Sequence, residues 1–244
     1  MNELDLVEAN QWFIGHLFGT THRFFYITKS TVIYTWLTLL FLAIILFIGR
    51  YYLAKKDSIG RFITISFVQF FVDLINQSLP RFSFGHFTFI TTTFCFILAC
   101  NIVSIIPWME EPTTDLNTTL ALGLTAFFYT QWASISAIGL WPYIKEYFSP
   151  FFIMFPLHVV GKLATIISIS FRLFGNIFGG SIISSIWFGS IKGNFALEVI
   201  GLVSGINLLL TIFFGIFEGF LQAFVFGMLS LTYLSLALQE EGHS

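Results

Sequence analysis

Six stretches of this chain carry no formal charge, and each is long enough to cross a lipid bilayer. They run Ser30 to Gly49, Phe82 to Met109, Leu116 to Ile144, Leu173 to Ile191, Val199 to Phe217 and Gly219 to Gln239. A helix that spans the hydrocarbon core needs roughly 18 or more consecutive apolar residues. Only 10% of the residues are Asp, Glu, Lys or Arg, against about 25% in a soluble domain, so the chain cannot cover a water-facing surface. The expected class is an all-α polytopic membrane protein. Electrostatic binding of nucleic acid is excluded, because 11 basic against 13 acidic residues leave a net charge of -2 and no basic block.

The few charges set the topology. The first span, about Thr31 to Ile48, is followed by Arg50, Lys55, Lys56 and Arg61, the densest positive cluster. That end is expected on the cytoplasmic or equivalent side. Ile59 to Pro80 mixes apolar residues with Gln69, Asp73, Asn76 and Gln77, the pattern of an interfacial or re-entrant helix. The second span, about Phe87 to Ile106, ends at Pro107 and leads to Glu110, Glu111 and Asp115, which suit an external loop. The third, about Thr119 to Trp141, returns to Pro142, Lys145 and Glu146.

From Tyr147 to Ile191 only Lys162 and Arg172 are charged, and from Val199 to Gln239 only Glu218 is. Continuous helices over those stretches run about 60 Å, twice the hydrocarbon thickness. They must tilt steeply, break or extend past the membrane, and the Lys192 to Asn194 turn would join them as a hairpin. The expected architecture is about five transmembrane helices plus one interfacial helix. Residues 1–30 form an external segment and 31–244 one membrane domain, with the hairpin at 147–239. The amino terminus is outside and the carboxyl terminus inside. Met1 to Glu8, with three acids and no base, lacks the start of a signal peptide, and no internal repeat supports an inverted-repeat transporter. Cys95 and Cys100 point in different directions on one helix and read as small apolar residues.

Arg172 is the most informative residue, because an arginine within an apolar helix costs at least about 2.5 to 3.5 kcal/mol on insertion scales. By steps of three or four its face carries His158, Lys162, Thr165, Ser168, Asn176 and Gly179. The partner helix repeats a polar line with Asn207, Thr211, Gly215, Glu218 and Gln222. Two such faces suit a hydrated route for small ions. Arg172 also admits a structural reading, snorkelling to the interface or pairing permanently with Glu218. For Thr165, Ser168 and Thr211 the alternative is back-bonding to their own helix.

The run Phe171 to Gly180, F-R-L-F-G-N-I-F-G-G, resembles the signature of subunit a of rotary F-type ATP synthases. Three further stretches resemble that family in the same order: Phe94 to Pro107, Pro112 to Leu124, and Leu221 to Phe226 with Tyr233 and Leu234. The resemblance implies a non-enzymatic stator subunit without cofactor or metal. Its final hairpin would pack against a ring of c subunits, with peripheral-stalk b subunits and the remaining synthase chains as further partners. Arg172 would face the c-subunit carboxylate between two half-channels. Asn176 and Gln222 would line this region, and Asp115 and Asn117 would mark the external entrance. The sequence departs from the family at His158 and Ser181, where acids are usual, and at Gly215. Glu218 is expected to supply the missing carboxylate, with His158 and Ser168 on the pathway. Which of Glu218, His158 and Ser181 relay ions stays open, as does proton against sodium coupling. The resemblance implies a bacterial plasma membrane, with the mitochondrial inner membrane as the alternative. The rival class is a self-contained secondary transporter or channel in which Arg172 binds an anion at midplane. No H-E-x-x-H cluster or nucleotide-binding glycine loop is present.

Overall fold

The structure, a computed structural model, describes residues 11–13, 26–55, 58–103, 111–146, 148, 153, 155–193, 199, 201 and 205–239. Lys56, Pro107, Glu110, Asn194 and the Met1 to Glu8 segment lie outside the described residues. A short antiparallel ribbon, β1 (Gln11–Phe13) with β2 (Tyr26–Thr28), precedes the first helix and carries no signal in the sequence. The helices are α1 (Lys29–Ala54), α2 (Ile59–Ser78), α3 (Phe84–Val103), α4 (Leu116–Ile138), α5 (Leu140–Glu146) and α6 (Phe155–Ile191). After them come α7 (Ile206–Thr211), a π-helical segment (Ile212–Glu218) and α8 (Gly219–Gln239). Helices α1, α2, α3, α6 and the stretch Leu208–Leu238 are long and apolar enough to cross a membrane. The polytopic all-α class expected from the charge-free runs is what the chain adopts. At 23 residues α4 also reaches about 34 Å, while α2 has the length of a span in the place read as interfacial.

Helices α3, α4, α6 and α8 form the bundle, with α1 and α2 packed outside it. Its interior is apolar: Ile90, Phe94 and Ile97 of α3 meet Leu173 and Ile177 of α6 and Ala223, Phe226, Leu231 and Leu234 of α8. In lipid, helices gain little from hiding apolar surface, so association depends on close backbone approach and van der Waals contact. Three glycines provide it. A Cβ on Gly219 would lie 2.5 Å from Asn101 Cβ, one on Gly180 would lie 2.8 Å from the Phe214 ring, and one on Gly123 would collide with Ser170 Oγ. Each marks a place where only hydrogen fits between neighbouring segments: α3 with α8, α6 with the π segment, and α4 with α6.

Side chains close the helix ends. Asp115 caps α4 by accepting from Asn117 N at 3.0 Å, and its other oxygen accepts from Thr31 Oγ1 at 3.4 Å, which ties the α4 start to α1. At the other end of α4, Gly139 adopts φ 88°, a left-handed conformation that side chains disfavour. The break lets α5 fold back, so that Tyr143 is buried against α4. Ser235 Oγ donates to Ser78 O at 2.7 Å and fixes the end of α8 to α2.

Candidate functional site

Helix α6 runs unbroken for 37 residues, about 55 Å, and has two distinct sides. Ile166, Ile169, Ser170, Leu173, Ile177 and Gly180 are buried in the bundle. Ala164, Ser168, Phe171, Arg172, Gly175 and Phe178 are exposed. The polar line read from the sequence runs along the border between them. Arg172 and Ser168 lie toward the open side, whereas Lys162, Thr165 and Asn176 are half-buried and His158 is exposed at the helix start. Around Arg172 the open side mixes the exposed rings of Phe171 and Phe178 with small residues, and a Cβ at Gly175 or Gly179 would have no neighbouring atom within 4 Å. The arginine thus presents its charge on a face that the described residues leave uncovered.

The facing arm of the hairpin is not a plain α-helix. Seven residues, Ile212–Glu218, form a π segment, whose wider turn shifts the phase of everything before it relative to α8. The line Asn207 to Gln222 therefore does not continue at α-helical steps through Gly215. The side chains of Asn207 and Thr211 lie outside the described part. Glu218 and Gln222 are both half-buried. Glu218 Oε2 sits 3.5 Å from where a Cβ on Gly180 would be, so the carboxylate rests against the glycine backbone of α6. Gly180 is eight residues, about 12 Å of helix, beyond Arg172. The acid is thus set against Gly180 rather than against the arginine. Ser181 is exposed and donates to Phe178 O at 2.8 Å.

Asn101 of α3 joins this side of the site, since it packs on Gly219 next to Glu218. It is buried and donates from Nδ2 to Ile97 O at 2.7 Å. Sequence reasoning did not single it out, although an amide between Phe94 and Pro107 was a legible signal: polar side chains inside spans are rare and functional by default. Asp115 and Asn117 lie at the start of α4. Asp115 acts as helix cap and tether, and Asn117 is exposed.

On the opposite side of Arg172 a cavity of about 290 Å³ opens between α4, α6 and α8. Phe127, Leu157, Ile166, Ile169 and Leu236 line it, together with Thr130, Gln131, His158, Lys162, Thr165, Ser230 and Tyr233. Ser230 is 2% exposed and its Oγ has no partner among the described residues. A buried hydroxyl in a polar cavity of this size is normally satisfied by water. Lys162 Nζ donates to Gln131 Oε1 at 3.2 Å, and Tyr143 donates its hydroxyl to the same oxygen. Gln131 carries no sequence signal, and Tyr143, which reads in the sequence as an aromatic at the membrane interface with Trp132 and Trp141, is instead buried against α4; the cluster exists only after three helices meet. By the charge-based topology this cavity lies at the inner end of the bundle.

Along α6 the order is therefore cavity, open arginine, carboxylate. The chain matches the ATP synthase A chain family over residues 32–235. It is 32% identical over 206 residues to ATP synthase subunit a of Moorella thermoacetica, covering 84% of this chain and 89% of the relative. It is 30% identical over 230 residues to ATP synthase subunit a 2 of a Picosynechococcus species, covering 90% and 91%. It is 34% identical over 168 residues to the sodium ion specific ATP synthase subunit a of Propionigenium modestum, covering 63% and 58%. A match over most of the chain, with relatives of nearly equal length, is decisive: this chain belongs to the ATP synthase A chain family.

Proposed function

We propose that Arg172 is the gating arginine of an ion-translocating stator subunit in the membrane sector of an F-type ATP synthase. The single observation that carries this reading is its exposure in mid-helix, beside the open space at Gly175 and Gly179. A guanidinium there needs a partner of opposite charge, and an open face accepts one that slides past. The c-subunit ring, with a carboxylate on each subunit, is that partner. A guanidinium does not lose its proton at physiological pH. It therefore holds each carboxylate ionised as it arrives and blocks direct passage of protons between the two sides.

The polar groups on either side of Arg172 form the two half-channels. The outer one is built from Asn101, Glu218, Gln222, Asn176 and Ser181, with Glu218 set against Gly180 standing in for the acid expected at Ser181. The inner one is the cavity at His158, Lys162 and Ser230, and Ser168 lies between it and the arginine. A proton from the outer half-channel neutralises the carboxylate, which leaves Arg172 and enters lipid as the ring turns. After the turn it is released into the inner half-channel. The membrane potential contributes about 2.3 kcal/mol per charge per 100 mV. Asp115 and Asn117 mark the external entrance, where Asp115 also fixes α4. Peripheral-stalk b subunits are further partners, ATP chemistry belongs to other chains, and the membrane is the bacterial plasma membrane.

The rival reading, an autonomous transporter with Arg172 as an anion site, needs the arginine inside an enclosed pocket. Arg172 is exposed, and the cavity beside α6 is lined by Lys162 and His158 instead. The test is ATP-driven proton pumping by the assembled complex. Arg172→Ala abolishes pumping and Arg172→Lys fails to restore full coupling. Pumping that persists in Arg172→Ala would refute the gate.

A further inference from the structure

We propose that the corner where α1 turns into α2 is a binding site for the phosphate head group of an anionic phospholipid, held by Arg50, Lys55 and Arg61.

The course of α2 carries the inference. Thr31, near the start of α1, donates to Asp115 at the start of α4, and Thr38 meets Cys100 near the end of α3. From that meeting point the end of α1 and the start of α3 are each sixteen residues away, about 24 Å of helix, so both lie on one side of the bundle. Helix α2 joins those two ends. Its last residue, Ser78, accepts from Ser235 Oγ near the end of α8, whose start packs on Asn101 at the opposite side. A helix that starts and finishes on one side runs along the membrane surface rather than across it. Its side chains suit that position. Phe71 and Ile75 are buried against the bundle, Gln69, Asp73 and Asn76 form an exposed polar line, and Ile63, Phe67 and Phe70 form an exposed apolar one. Protein, water and lipid each have a face of the helix.

The corner between α1 and α2 is then at head-group depth. Thr64 Cγ2 lies 3.7 Å from where a Cβ on Gly49 would be, and the Tyr52 ring 2.6 Å from one on Gly60. Those approaches bring Arg50 and Arg61 within about one helical turn of the same level, with Lys55 at the bend. Arg50 and Lys55 are exposed and Arg61 is half-buried. None of the three pairs with a carboxylate among the described residues. The sequence from Arg50 to Arg61 holds four bases against one acid, Asp57, which with Lys56 lies outside the described residues. The excess is positive even with that acid counted.

Guanidinium groups match the oxygens of a phosphodiester, and each cation just past the end of a spanning helix strengthens binding of anionic lipid by about fivefold. The apolar surface around the cations marks the anion as a lipid. Phe47 and Phe62 are each 73% exposed, and Tyr51 and Tyr52 stand edge to face at 5.7 Å, an aromatic pair of the kind found at membrane interfaces. A free anion makes no contact with such rings, whereas acyl chains lie against them.

The test uses the assembled complex in neutral detergent and a photoactivatable phosphatidylglycerol. Adducts are expected on the Arg50 to Arg61 segment, displaced by phosphatidylglycerol but not by phosphatidylcholine or inorganic phosphate. Arg50→Gln combined with Arg61→Gln raises the lipid concentration for half-maximal labelling by roughly twentyfold, and Arg50→Lys with Arg61→Lys keeps most of the affinity. Lys192→Gln, which removes an exposed cation elsewhere, leaves labelling unchanged and controls for net charge. Labelling of the parent complex that misses the corner, or that phosphatidylcholine displaces equally, overturns the site, and this arm needs no variant to assemble. Displacement by inorganic phosphate makes the corner a site for free anions and overturns the lipid. Parental half-maximal labelling in the double glutamine variant overturns the role of the arginines.

Discussion

Replacing Gly219 by alanine tests whether the contact between α3 and α8 positions the acid side of the site. The added methyl would sit 2.5 Å from Asn101 Cβ and 2.8 Å from its Cγ, where carbon atoms prefer about 3.5 to 4.0 Å. The obstruction is the base of a buried side chain, so rotation of the amide cannot clear it. The two helices must separate by about 1 Å, and overpacking of this kind costs about 1 to 3 kcal/mol. If Asn101 also gives up its bond to Ile97 O, the loss grows by about 1 kcal/mol. Glu218 immediately precedes the glycine and Gln222 lies one turn beyond, so both move with the backbone. A displacement near 1 Å in a catalytic arrangement can cost up to about 10²-fold in rate. The expected result is a complex that assembles with reduced thermal stability in detergent and pumps protons at least tenfold more slowly. Asn101→Gly combined with Gly219→Ala relieves the collision and recovers the stability, though not the amide. A Gly219→Ala complex with parental melting and pumping would refute the argument that this approach is obligatory.

Two other contacts give independent outcomes. Gly123→Ala drives a methyl into Ser170 Oγ and destabilises the complex by about 1 to 3 kcal/mol. Ser170→Ala, which removes a buried hydroxyl without a partner, is neutral by itself and restores part of the loss, as a thermal melt of the single and double variants would show. Asp115→Ala removes the α4 cap and its tether to Thr31. It lowers stability by about 1 kcal/mol, and proteolysis of the segment before α4 measures that loosening.

The spans were legible because the absence of charge over a bilayer's length of helix has one common physical meaning. Arg172 was legible for the opposite reason, since a cation in such a run demands an account. The π segment was not. Its residues read as ordinary helix, and the wider turn shows only in backbone hydrogen bonding, so the line through Gly215 was drawn with the wrong phase. The pairing imagined between Arg172 and Glu218 fails for the same reason, because it assumed a register that the hairpin does not keep. The Gln131, Tyr143 and Lys162 cluster was equally hidden. Its members are far apart in sequence, and they meet only because Gly139 ends α4.

The open face of α6 also bears on how such a protein is made. During insertion Arg172 confronts acyl chains, a state that costs at least about 2.5 to 3.5 kcal/mol. The chain alone is thus a strained intermediate of biogenesis, with a charge that draws water and headgroups into the bilayer around it. A partner chain that brings an opposite charge over the arginine would relieve that strain, so the folding of this subunit and its assembly with such a partner would be energetically linked.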